Sequence, residues 1–139
     1  EISQMLDFPI SDVAAADIDG DGMDELALIS PFHGNRYAIY KREGNGYREQ
    51  YHYAVEQDFY HAVVGATLGG ERLFLGAARR MAMQLFAVRW NPVQKVYVPL
   101  VVDEGIGPSN LSVLHSEHGD IVLSANREIA EAAIYVCIP

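Results

Sequence analysis

Cysteine is almost absent: Cys137 stands alone, so no disulfide can form within the chain. Its apolar neighbours mark it as a buried small hydrophobe, and its isolation favours a reducing compartment, the cytoplasm, over an oxidising one. Positive charge is also scarce. Ten Lys and Arg stand against 19 Asp and Glu, a formal charge of −9. That balance builds no basic face for phosphates and excludes a nucleic-acid partner. Apolar runs are too short for a membrane-spanning helix. No basic-then-apolar leader is visible, and the chain opens at Glu1, as a fragment of a longer protein would. Helical patterning is poor, and its best stretch, 126–133, is short. What remains is 139 residues, half of them hydrophobic, with 12 Gly and 6 Pro: enough for one globular domain with a core.

The most informative stretch is Asp17-Ile18-Asp19-Gly20-Asp21-Gly22-Met23-Asp24-Glu25. Alternate side chains of a tight loop converge on one point, and glycines let the backbone curl around it. Oxygen-rich acidic side chains suit a hard cation such as Ca2+, which takes six to eight oxygens. Asp17, Asp19, Asp21 and Glu25 are the candidate side-chain ligands, with the Met23 carbonyl as a further one. An EF-hand loop would need Glu at its twelfth place, where this chain has Leu28. The flanking runs 13–16 and 26–29 read as strands, so the loop joins two strands. The competing reading is an acidic turn without an ion, but carboxylates so crowded would repel one another.

A repeat organises the rest. Asp12, His61 and Asn110 open three similar stretches at equal spacing. Each runs strand, turn, strand, polar connection, strand: 13–16, 26–29 and 37–40; then 62–66, 73–75 and 85–88; then 111–114, 121–123 and 133–136. Fourth strands at 47–53 and 96–102 follow the hairpin punctuation Gly44-Asn45-Gly46 and Asn91-Pro92. The third repeat stops after three strands, and 2–8 reads as an orphan outer strand. Such repeats of four antiparallel strands predict an all-β fold, a β-propeller portion of about three blades. The expected boundaries are 1–9 for the orphan strand, then blades over 10–57, 58–106 and 107–139. Three blades do not close a ring. The expected partners are therefore the remaining blades of a longer propeller, or a second copy that completes an oligomeric ring.

Residues 12–28, Asp-Val-Ala-Ala-Ala-Asp-Ile-Asp-Gly-Asp-Gly-Met-Asp-Glu-Leu-Ala-Leu, resemble the FG-GAP/VCBS repeat of integrin α-subunit and bacterial propellers. The resemblance implies Ca2+ held between the first and second strands of a blade by Asp17, Asp19, Asp21, Met23 and Glu25. The second and third repeats lack the acidic triplet, so one such site is expected. More loosely, 30–34, 60–62 and 107–110 resemble bacterial propellers related to aldos-2-ulose dehydratase.

In a propeller the segments leading into first strands and those joining second to third strands open on one face, opposite the metal loop. Loops on a rigid scaffold are the usual seat of function. His33, Arg36, His61, Arg79, Arg80, Asn110, Asn126, Arg127 and Glu128 are expected around that funnel. His33 or His61 would abstract a proton beside a carbonyl, and Arg79 and Arg127 would hold the developing charge. Arg36, Arg80, Asn110, Asn126 and Glu128 would bind the ligand. This predicts a carbohydrate lyase or dehydratase. The alternatives are a non-catalytic propeller binding a glycan or protein, and a purely structural part.

Overall fold

The computed structural model describes residues 6–32, 34–54 and 59–138. Among them the fold is three antiparallel sheets, with one 3-10 turn at Arg127–Ile129. The first sheet runs in order β1 (Asp12–Ala16), β2 (Glu25–Ser30), β3 (Arg36–Glu43), β4 (Gly46–His52). The second runs β5 (Tyr60–Leu68), β6 (Glu71–Ala78), β7 (Leu85–Asn91), β8 (Val96–Asp103). The third holds β9 (Pro108–Leu114), β10 (Ile121–Asn126) and β11 (Glu131–Val136). Each sheet is a meander, and β5 lies against β1 on one side and β9 on the other. First strands gathered side by side, with later strands outward, make a partial β-propeller of the expected kind.

Side-chain alternation explains why the middle sheet reads as continuous apolar runs. Phe74, Phe86 and Val88 join Ile29, Tyr37, Ile39, Tyr53 and Tyr60 in the core against the first sheet. Their neighbours Leu73, Leu75, Leu85 and Ala87 join Leu111 and Val122 in the core against the third. Successive strand residues point to opposite faces, so a sheet covered on both sides needs hydrophobes at every position. Each such side chain contributes about 1.5–3 kcal/mol on burial. Tyr53 stacks on Phe86 at 3.9 Å between ring centroids, and Phe86 lies across Gly76, where a side chain would run into the ring.

Carboxylates join the sheets as well. Asp12 Oδ2 accepts the Val63 amide at 2.9 Å, and Asp120 Oδ2 accepts the Thr67 amide at 2.7 Å. These two bonds occupy amides on the edge of β5 that does not pair with β6.

The third sheet has one open face. Leu114, Leu123, Ile134, Val136 and Ile138 are exposed there. Cys137 is exposed too, contrary to the expectation of burial. No strand among the described residues covers the outer edge of β11. Of the expected orphan strand 2–8, residues 1–5 fall outside the described set and 6–8 form no strand. Phe8 packs on Tyr40 of the first sheet, with ring centroids 6.0 Å apart. The third-repeat segment 126–133 supplies only the 3-10 turn, because Ala130 turns left-handed and β11 begins at once. No helix among the described residues is long and apolar enough to cross a membrane.

Candidate metal centre and the opposite funnel

The loop between β1 and β2 folds around its own carboxylates. Asp17 accepts the Gly20 amide at 2.8 Å and the Gly22 amide at 2.9 Å. Those two glycines take φ of +77° and +90°, which L side chains adopt only under strain. Asp19 Oδ1 accepts the Asp21 amide, and Asp21 Oδ1 accepts the Met23 amide. Glu25 is fully buried, and its Oε2 accepts the Ile18 amide at 2.9 Å. Backbone amides thereby occupy both oxygens of Asp17 and one oxygen each of Asp19, Asp21 and Glu25, and the second oxygens of those three converge.

Ligand atoms of Asp17, Asp19, Asp21 and Glu25 all lie within 4.8 Å of one another, so this cluster is able to hold a metal ion. Glu25 Oε1 is the buried member of the set and receives no hydrogen bond. A buried carboxylate oxygen needs a positive charge beside it, which the Lys41 ammonium at 3.0 Å supplies here and a metal ion would supply in its place. An all-oxygen donor set fits a hard divalent ion.

A side chain that sequence reasoning missed also enters the cluster. Lys41 Nζ contacts Asp19 Oδ2, lies 2.7 Å from Asp21 Oδ2 and comes within 3.0 Å of Glu25 Oε1. The last contact is electrostatic, without hydrogen-bond alignment. The signal was present in the hairpin register: β2 pairs Leu26 with Tyr40, so the next step outward sets Lys41 opposite Glu25. The local charges show in the pKa values. Burial raises that of Glu25, against the opposing pull of the Ile18 amide and Lys41. The Lys41 hydrogen bond, helped by the Met23 amide, lowers that of Asp21. Burial lowers that of Lys41, but its contacts with the Asp19, Asp21 and Glu25 carboxylates together outweigh it and leave it above the ordinary lysine value.

The family model for the FG-GAP repeat matches residues 10–47, the span from just before β1 to the start of β4. This stretch is similar to the FG-GAP repeat over its first three strands. The acidic loop lies inside the matched span, between its first two strands. No curated protein matches the chain.

The opposite end of the blades brings together some of the expected funnel residues. Arg79, nearly buried, donates from Nε to Glu128 Oε1 at 2.9 Å and so ties the second sheet to the third. The guanidinium groups of Arg79 and Arg80 lie 5.2 and 5.0 Å from the centre of the Phe59 ring, and Phe59 stacks on His61 at 5.6 Å. Phe59 also went unnoticed in the sequence, where an aromatic just before a strand reads as sheet packing.

The other residues stand elsewhere. Arg36 pairs with Glu49 of β4 within its own blade. Asn126 is fully buried, donating to Glu131 at 2.8 Å and accepting from the Ser124 hydroxyl. Asn110 alternates with Leu111 in β9 and is exposed with Ser112 and Leu114. Arg127 is exposed at the 3-10 turn. His33 lies outside the described residues. The His115 ring shares a 2.8 Å hydrogen bond with Asp120 on the metal-loop side.

Proposed function

We propose that the chain is a Ca2+-stabilised section of a β-propeller, with blades over 10–57, 58–106 and 107–139, that acts by binding and assembly. The observation that carries the metal reading is the convergence of Asp17, Asp19, Asp21 and the buried Glu25, whose ligand atoms all lie within 4.8 Å of one another. Ca2+ is the ion that the resemblance to integrin α-subunit propellers implies. The four carboxylates would hold it with help from the Met23 carbonyl. Bound there, the ion would cross-link β1 to β2 and offset the crowding of negative charge.

Assembly follows from the apolar face of the third sheet, which presents Leu123, Ile134 and Val136 to solvent. Large exposed apolar patches mark surfaces that another element covers. The cover would be further propeller blades, supplied by a longer chain or by a second copy.

Binding is favoured over lyase or dehydratase chemistry because of how the funnel residues are used. Arg79 is tied to Glu128, and Asn126 is buried among internal partners. His61 and the Arg79–Phe59–Arg80 stack form a rim suited to an anionic or sugar-like ligand rather than a poised acid–base pair.

The test is calorimetric titration of Ca2+ into chelator-stripped protein, with the melting temperature followed in parallel. Uptake of one Ca2+ with a raised Tm is expected, and Glu25→Gln should weaken binding by about tenfold or more. No heat of binding and an unmoved Tm would refute the metal reading.

A further inference from the structure

The ammonium of Lys41 stands where a bound cation would have to stand. It meets Asp19, Asp21 and Glu25 through Asp19 Oδ2, Asp21 Oδ2 and Glu25 Oε1. The same three residues, with Asp17, make up the metal-competent cluster. A Ca2+ ion sits about 2.3–2.6 Å from its oxygen ligands, and a divalent ion and an ammonium cannot share one nest of oxygens. We propose that Lys41 is a tethered rival of the metal: it closes the acidic loop when Ca2+ is absent, and Ca2+ binds only by displacing it. This rests on the calcium reading above.

The lysine has a fixed origin and a place to go. Its backbone follows Tyr40 in β3, so the stem starts at a strand of the same blade rather than in the loop. It also lines a cleft of about 320 Å³ together with Gln50, Tyr51, Trp90 and Tyr97. An ammonium pushed out of the carboxylates can settle there against aromatic faces, which attract cations. Trp90 and Tyr97 belong to the second sheet, and Tyr97 packs on Tyr51 of the first at 5.8 Å. Displacement of Lys41 therefore reaches the seam between two blades.

Two consequences follow. The metal-free loop keeps its shape, because a built-in positive charge offsets the carboxylate repulsion. The Ca2+ affinity is weaker than the donor set alone would give, because an ion pair at a largely enclosed site must first be broken.

The chain has two lysines, Lys41 and Lys95, and the exposed Lys95 serves as internal reference. Wild-type protein is labelled with acetic anhydride in chelator and then at saturating Ca2+, and the Lys41-to-Lys95 ratio is read by mass spectrometry. In parallel, Ca2+ affinity is titrated for wild type and Lys41→Met. Ca2+ should raise Lys41 labelling several-fold, and Lys41→Met should bind Ca2+ about tenfold or more tighter while melting lower in chelator. Uptake by Lys41→Met alone would mean that the lysine holds the wild-type loop against Ca2+, and would overturn both displacement and the calcium reading of the wild type. If wild type binds Ca2+ and the labelling ratio does not change, the displacement proposal falls while the calcium reading stands. If neither protein takes up Ca2+, both fall. Should Lys41→Met fail to fold, the wild-type labelling decides.

Discussion

Thr67 and Asp120 hold each other by two hydrogen bonds across the seam between the second and third sheets. The Asp120 amide donates to the Thr67 carbonyl at 3.0 Å, and the Thr67 amide donates to Asp120 Oδ2 at 2.7 Å. The residues are 53 apart in the chain. Asp12 and Val63 repeat one half of this arrangement at the other seam. A carboxylate side chain thus does what a neighbouring strand would do for the open edge of β5.

This predicts a specific acid sensitivity. Burial raises the Asp120 pKa, but the Thr67 amide and His115 together outweigh it and hold the carboxyl below the ordinary aspartate value. A depressed folded value means that the stabilisation is fully present above the unfolded value of about 3.9 and is lost as pH falls through the folded one. Acid unfolding followed by tryptophan fluorescence should show Asp120→Asn losing less stability than wild type between about pH 4 and pH 2. At pH 7, Asp120→Ala should cost about 1–3 kcal/mol, because it leaves the Thr67 amide unsatisfied.

Gly76 is required by the Phe86 ring that lies across it. Gly76→Ala should destabilise the protein by about 1–3 kcal/mol in urea, with Phe86→Leu as the second change that restores part of the loss. Equal stability of Gly76→Ala and wild type would show that the ring shifts at no cost.

The third sheet's face should govern association. Ile134 is 69% exposed and pairs across the sheet with Leu123. The wild type should associate as concentration rises, and the double change Leu123→Lys, Ile134→Lys should reduce the mass seen by light scattering to that of a single chain. An unaltered mass distribution would mean that the contact lies on another surface.

The Arg79–Glu128 bridge should matter less. Glu128 is partly exposed, so Glu128→Gln should lower stability by about 1 kcal/mol or less. If Arg79 and Arg80 serve as a ligand rim, that change should strengthen capture of acidic sugars on an affinity column, because it removes the carboxylate that competes for Arg79.

Much of the fold was legible in the sequence because propeller strands are local. A strand pairs with the next one in the chain, and the punctuation at Gly44-Asn45 and Asn91 lies where the β3–β4 and β7–β8 hairpins turn. The acidic loop was legible for the same reason, since its donors lie within nine residues. Strand lengths were underread. β6 runs through Ala78 and β9 starts at Pro108, because pairing with a neighbour extends strands past their apolar centres.

The chain by itself determined the repeat, the number of strands per blade and the carboxylates that converge, because each depends on neighbours a few residues apart. Only the tertiary structure decided what those groups meet. It set Lys41 among the acids, tied Arg79 to Glu128, buried Asn126 and left Cys137 in the open. Those outcomes depend on strand register and on which blade face is covered, and a shift of one residue turns a side chain from the core to solvent.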